Sequence, residues 1–412
     1  MRDITITAND AGRRLDRFLR KYLRNASLSE IYKFIRKDIK VDGRRRSESY
    51  MLSEGETLTL YMADEVIDRL TGSASGGRTG RAGSAGATSG IGAATGNSQT
   101  YGAVANGHNK AKRQFGIIYE DANILIVSKP YGLLTHGDHR EKKNHLANQV
   151  RDYLIAKGEY DPRSEKVFSP APANRLDRNT TGLVLFGKTS AALKALNEII
   201  RSELAGKYYL TIACGIIDTD LTLTGSLTKD ERANRVHVDN IVSSSDRGAA
   251  YGRISHDDRV EDIGSKDRTR DIVTIVHPLQ VLEFPGGAGS ARNAVGHRVS
   301  GTLTQIQLVT GRSHQIRAHL ASIGHPVAGD TKYSSEYAGG ASQSDIRHLN
   351  DYLRRNYRLS TQLLHAYRIS FAHDGLPEEL EYLSGRSFTS PLPPVLRRIL
   401  NDAGCDASDL DI

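Results

Sequence analysis

The feature that most constrains how this chain can fold is a stretch that cannot fold. From Thr71 to Asn109, 11 of 39 residues are glycine, and most of the rest are Ala, Ser and Thr. That composition cannot bury enough apolar surface to offset the entropy lost on ordering. We therefore expect a flexible linker over residues 66–112. It would separate a small N-terminal domain (1–65) from a large domain (113–400), with a short tail at 401–412. A Gly-rich linker of this length has an end-to-end distance of about 35 Å, from ~5–6 Å × √n. It reads as a tether that lets two domains grip one large partner at separate points.

The net charge of +8 is not spread evenly. Residues 1–62 hold 14 Lys+Arg against 9 Asp+Glu, a surplus of 14 − 9 = 5. A basic excess of this kind fits a polyanionic partner, either nucleic acid or an acidic membrane surface. No apolar run approaches the ~20 residues a spanning helix needs. Met1-Arg2-Asp3-Ile4-Thr5 lacks the apolar stretch of a signal peptide. Two isolated cysteines, Cys214 and Cys405, build neither a disulfide framework nor a zinc site. Reduced thiols in a cytoplasmic protein are expected.

Within the basic segment, Leu15, Phe18, Leu19, Tyr22 and Leu23 recur at helical spacing, with arginines between them. Ser27 and Glu30 read as a capping box, opening a helix that buries Ile31, Phe34 and Ile35. Ile39-Lys40-Val41 with an Asp42-Gly43 turn suggests a hairpin, and Thr57–Tyr61 a closing strand. Residues 12–62 resemble the S4-type RNA-binding domain of ribosomal proteins and RNA-modifying enzymes. The resemblance implies that Arg13, Arg14, Arg17, Lys33, Arg36, Lys37, Arg44 and Arg45 face RNA.

The large domain begins near Lys112. Ile117–Tyr119 and Ile124–Val127 read as strands around a turn, ended by Lys129-Pro130-Tyr131-Gly132. Residues 189–204 are helical in pattern. Lys207–Ala213, Ile272–Phe284 and Thr302–Val309 read as strands. The polar and charged residues near 233–270 and the Gly-rich residues near 285–300 look like surface insertions. Many strands with few helices predict an α+β fold rather than a regular βαβ repeat.

Two segments about 130 residues apart carry the chemistry. Asn174-Arg175-Leu176-Asp177-Arg178-Asn179-Thr180-Thr181-Gly182 sets one acid between two bases, ahead of the apolar run Leu183–Phe186. Cations favour the charged form of a neighbouring carboxyl group, which suits a nucleophile better than a general acid. The second segment is Thr310-Gly311-Arg312-Ser313-His314-Gln315-Ile316-Arg317. Ser313 is a plausible N-cap for a helix over His314–Ile323, stopped by Gly324 and Pro326. Arg317 would stand in its first turn, where the helix dipole disfavours a cation. A cation placed there suggests a specific anionic contact. Lys207-x-Tyr209 adds an aromatic ring with a polar tip. Thr135-His136-Gly137-Asp138-His139 is the nearest thing to a metal-ligand cluster, and reads better as a solvated loop.

These segments, in this order, resemble the motifs of the RluA class of pseudouridine synthases. So do Ile117 to Leu134, and Leu364-His365-Ala366-Tyr367-Arg368-Ile369-Ser370-Phe371 near the end. The resemblance covers about 113–373, less the two insertions. It implies a mixed, mainly antiparallel central sheet with flanking helices. It also implies isomerisation of uridine to pseudouridine in RNA. By position, Asp177 matches the catalytic aspartate and Tyr209 the tyrosine that stacks on uracil. Arg317 matches the basic partner of the aspartate. Arg175 matches an arginine holding the flipped-out nucleotide, and Arg178, Thr181, Arg312, His314 and Gln315 are further substrate-binding candidates. The aspartate would attack either C6 of the ring or C1′ of the ribose. Such a reaction needs neither cofactor nor metal.

Where the family usually has His, Asp and Ser, this chain has Asn174, Asn179 and Thr181. His314-Gln315 separates the RluA class from a sister class with Arg-Gln. An appended S4-type domain points to large-subunit (23S) ribosomal RNA, or an assembling large ribosomal subunit, as partner of a monomeric enzyme.

Overall fold

The structure, a computed structural model, describes residues 1–72, 113–230, 235–244, 270–286, 298–333 and 340–405. The chain divides into two compact units.

The first unit comprises Met1–Lys110 and Leu154–Ser169, the latter a segment that chain order alone assigns to the larger domain. Its elements are β1 (Arg2–Thr5), α1 (Leu15–Tyr22), α2 (Leu28–Lys37), β2 (Ile39–Val41), β3 (Thr57–Leu60) and α3 (Asp64–Thr71). The strands form an antiparallel sheet in the order β1-β3-β2. The Ser27–Glu30 capping box is present, with both reciprocal bonds made. Asp42 (φ 48°) and Gly43 (φ 72°) both adopt left-handed backbone, as a tight primed turn requires. Leu15, Phe18, Leu19, Ile31, Ile35 and Leu58 meet in one core. The Asp10 carboxylate accepts the backbone N–H of Phe168 at 3.0 Å, which ties the later segment in. Residues 66–71, expected to be linker, belong to α3, because Ile67 and Leu70 bury against this core. Residues 73–112 lie outside the described residues.

The second unit comprises Ala111–Tyr153 and Pro170–Ile412. Its strands are β4 (Gly116–Glu120), β5 (Ile124–Lys129), β6 (Ala171–Pro172), β7 (Thr181–Gly187), β8 (Ala205–Cys214), β9 (Leu221–Asp230), β10 (Arg235–Ser244), β11 (Arg270–Pro285), β12 (Arg298–Leu308), β13 (Leu364–Phe371) and β14 (Ser387–Thr389). They form one sheet in the order β10-β9-β11-β12-β8-β13-β7-β5-β4, with β14 paired to β13 and β6 to β7. Every pairing is antiparallel except β13 with β7. The expected mixed, mainly antiparallel sheet is therefore present. The helices are α4 (Leu146–Lys157), whose last turn belongs to the first unit, α5 (Ser190–Arg201), α6 (Gln315–Ser322), α7 (Gln343–Tyr357) and α8 (Pro394–Asp402).

Part of the predicted insertion at 233–270 is sheet. Residues 235–244 are β10, whose Val236 and Val238 pack under α6 with Ala318 and Ala321. Residues 298–300, placed in the second insertion, begin β12. Residues 245–269 and 287–297 lie outside the described residues.

The parallel β13–β7 contact depends on Gly182. A Cβ there would lie 2.1 Å from the Ala366 carbonyl oxygen, and its φ is +111°. Only glycine allows this approach and this backbone. The contact sets β7, with the loop 174–180 ahead of it, beside the central strands.

Candidate active site

Asp177 sits in the loop entering β7, half-buried. Tyr209 projects from β8, which runs between β12 and β13 (pairing with Ile306 and Ala366). Arg317 stands in the first turn of α6, buried on every side with its helix. These residues, 140 positions apart in the case of Asp177 and Arg317, meet around one cavity of about 270 Å³. Arg317 Nη1 lies 3.4 Å from Asp177 Oδ2, and His314 Nε2 lies 3.8 Å from the same oxygen.

The main partner of Arg317 is a residue that sequence reasoning did not single out. Its Nε and Nη2 donate to the two carboxylate oxygens of Asp330 at 2.6 and 2.9 Å. Burial alone would lower the Arg317 guanidinium, but Asp330, and then Asp177, outweigh it and raise it. The Asp330 side chain, 1% exposed, also accepts the backbone N–H of Lys332 and Tyr333. Asp330 lies beyond the Gly324 and Pro326 break, where no helical spacing relates it to Arg317. Below the guanidinium, the Tyr333 ring centroid is 5.0 Å from Arg317 Cζ.

The helix start differs from expectation by one residue. His314, not Ser313, is the N-cap, in left-handed backbone (φ 59°) and without a side-chain cap bond. Its Nδ1 is 2.9 Å from the Tyr333 hydroxyl. Gln315 clamps the loop to the sheet. Its Oε1 accepts Thr310 Oγ1–H and the Arg312 N–H, and its Nε2 donates to Val273 O and Thr274 Oγ1.

The Asp177 loop is held from below by Lys129, a fully buried side chain at the end of β5. Its Nζ donates to the carbonyls of Pro130, Leu133 and Arg178 at 3.1, 2.7 and 2.9 Å. Burial pulls this ammonium down to about 7, against the opposing charge of Asp177. Thr135 Oγ1 exchanges bonds with both Leu176 O and Leu176 N. Asp138 accepts the N–H of Arg140 and Glu141 and pairs with Arg178, so the His136–His139 stretch is a solvated loop.

Of the residues expected at the site, Asp177, Tyr209, Arg317, Arg175, Arg312, His314 and Gln315 line the cavity, joined by Lys207. Arg178 and Thr181 do not. Arg178 turns out to Asp138 at 3.3 Å, and Thr181 is buried against His365 Nδ1 at 2.8 Å. Both are neighbours of Asp177 in sequence, but the chain turns into β7 there and points them elsewhere. Tyr209 is buried, and burial with the nearby Asp177 charge pushes its phenol well above its ordinary range. It offers a face and a neutral hydroxyl. Lys207 is lowered by burial, against Glu203 and with Arg312.

Residues 123–322 match the family model described as RNA pseudouridylate synthase. This stretch contains Asp177, Tyr209 and Arg317. Residues 123–322 are thus similar to an RNA pseudouridylate synthase domain. Over nearly its whole length the chain is similar to curated synthases as well. "Ribosomal large subunit pseudouridine synthase C" of Escherichia coli (strain K12) is 28% identical over 96% of this chain and 95% of that protein. The protein of the same name from Vibrio cholerae is 24% identical over 92% and 91%. The solved structure titled "Human RNA Pseudouridylate Synthase Domain Containing 4" is 19% identical, covers 70% of this chain and 93% of its own, and has a TM-score of 0.44. Among the described residues, no helix is long and apolar enough to cross a membrane.

Of the N-terminal basic residues, Arg17, Lys33, Arg36, Lys37, Arg44 and Arg45 are exposed. Arg13 and Arg14 are half-buried and face carboxylates. Arg14 pairs with Asp16 at 2.9 Å, and Arg13 Nε is 3.8 Å from Asp10.

Proposed function

We propose that this chain is an RluA-class enzyme that converts specific uridines of large-subunit ribosomal RNA to pseudouridine, with Asp177 as nucleophile. The observation that carries the reading is the convergence of Asp177, Arg317 and His314 on one cavity floored by Tyr209. A uridine in RNA must leave its stack before its ring can be reached, at a cost of a few kcal/mol. Stacking on the Tyr209 ring returns about 1–3 kcal/mol of that. Arg175, exposed at the rim, and Arg312 are placed to meet the phosphates. The Asp177 carboxylate then attacks C6 or C1′. The N1–C1′ bond breaks, the base turns, and C5 bonds to the ribose. C5 gives up its proton and N1 gains one, so the atoms balance without cofactor, metal or energy source. Burial and the Asp177 charge keep the Tyr209 phenol neutral, so it serves first as a stacking surface.

Ribosomal RNA as substrate is supported by the names of relatives that match this chain nearly end to end. We assign residues 1–65 as an S4-type RNA-binding domain, 66–112 as a tether shortened by α3, and 113–400 as the catalytic domain of a cytoplasmic monomer. Incubating wild type and Asp177→Ala with large-subunit ribosomal RNA, and mapping pseudouridine, tests this. Product from wild type alone is expected. Equal product from both removes Asp177 as nucleophile. No product from either leaves an RNA-binding factor.

A further inference from the structure

The Tyr333 side chain is buried, and its hydroxyl oxygen accepts the N–H of Val236 at 3.1 Å. That phenol still has one proton to give. Among the described residues, His314 Nδ1, at 2.9 Å, is the acceptor in reach. A buried hydroxyl left without an acceptor is costly, so the phenol donates to Nδ1. A neutral imidazole carries one N–H, and with Nδ1 accepting, that hydrogen is on Nε2. Nε2 faces Asp177 Oδ2 at 3.8 Å. Arg317 Nη1 faces the same oxygen at 3.4 Å. No described residue hydrogen-bonds Oδ1.

Resting on the reading of Asp177 as nucleophile, we propose that His314 is a positioning residue locked by Tyr333 as the Nε2–H tautomer. With Arg317 it holds Oδ2 of Asp177, leaving Oδ1 as the attacking oxygen. The charged groups around His314 are Asp177, Arg317, Lys332 and Asp330. Burial lowers its imidazole against the pull of Asp177, which keeps it neutral and a single donor. Both contacts to Oδ2 are long in the free enzyme, as catalytic hydrogen bonds often are before substrate closes the site. His314 holds left-handed backbone, a conformation histidine tolerates better than most side chains. That geometry turns its ring back toward the Asp177 loop rather than along the helix. The lock begins on β10, so a strand outside the catalytic motifs orients the nucleophile.

Two measurements test the proposal. The first is the ¹⁵N spectrum of the histidine ring in the full chain, with His314 assigned by its loss in His314→Gln. A protonated Nε2 and a bare Nδ1 are expected, with the two forms mixing in Tyr333→Phe. A proton on Nδ1 in the wild type overturns the proposal. The second is tritium release from RNA labelled at uridine C5. Tyr333→Phe should lower kcat about tenfold with KM unchanged, the signature of a lost transition-state interaction. His314→Gln keeps an N–H donor near the Nε2 position and has no tautomer to choose. It should retain more kcat than His314→Ala, and adding Tyr333→Phe to it should cause little further loss. Tyr333 also packs under Arg317, and a purely structural role there would make the two losses multiply, which overturns the lock. Asp177→Ala runs beside them. Its activity would sink the catalytic reading, while the tautomer stands on the spectrum alone.

Discussion

Replacing Asp330 by Asn removes one charge and almost no volume. In the native chain Asp330 takes both remaining arms of the Arg317 guanidinium, at 2.6 and 2.9 Å. Arg317 is 6% exposed, so water cannot stand in for the lost carboxylate. Breaking one side of a buried ion pair costs about 3–5 kcal/mol. Asp177, at 3.4 Å, can recover part of this by drawing the guanidinium toward it. We therefore expect a loss near the lower end, ~3 kcal/mol. At about 2–4 °C per kcal/mol for a domain of roughly 150–250 residues, and less for a larger one such as this, that lowers the melting temperature by at most about 6–12 °C. The functional consequence follows from the same movement. A guanidinium fully engaged with Asp177 ties up both its oxygens and displaces the loop, so kcat should drop by about tenfold or more. Calorimetry gives the first number and tritium release the second. An Asp330→Asn protein that melts within about 2 °C of wild type and keeps its kcat would show that Arg317 does not depend on Asp330.

Three further outcomes are expected. Burial pulls His365 from 6.5 to about 4, against bonds to Ser390 and Thr181. Below pH 6.5 the unfolded chain takes up a proton that the native chain refuses until about pH 4. Stability from this group is therefore complete above 6.5 and lost as pH falls through that window, by about 3 kcal/mol. Urea unfolding at neutral and at acid pH should show a smaller loss for His365→Gln; equal losses would refute the assignment. Gly182→Ala should abolish soluble expression, since its Cβ would strike the Ala366 carbonyl at 2.1 Å. A soluble variant with wild-type melting would contradict the packing. Changing Arg17, Lys33, Arg36 and Lys37 to Gln should flatten the salt dependence of RNA binding by up to ~3 in log–log slope. An unchanged slope would mean that this face does not touch RNA.

Local rules read some of this molecule well. The Ser27–Glu30 cap and the Asp42-Gly43 turn involve residues within three positions of each other, where side-chain chemistry settles backbone shape. Strands β5 and β8 announce themselves by largely buried apolar runs, and β12 by the alternation of its residues. Strand β10 does not. Its polar residues hide a strand whose membership rests on backbone pairing with β9 and on two valines packed under α6. The linker's expected start at residue 66 took in Val66 to Leu70, yet Ile67 and Leu70 find a core and form α3.

At the site, motif order and the resemblance to a known family were enough to single out Asp177, Tyr209 and Arg317, which line one cavity. Which of their neighbours take part was not readable from order along the chain. Arg178 and Thr181 flank Asp177 and point away. Asp330, Lys129 and Tyr333 lie far from it and hold the arrangement together. The physical reason is range. Propensity, capping and periodicity act over a few residues, whereas the partner of a buried charge is whatever the sheet order and one glycine-dependent crossing bring within 3 Å.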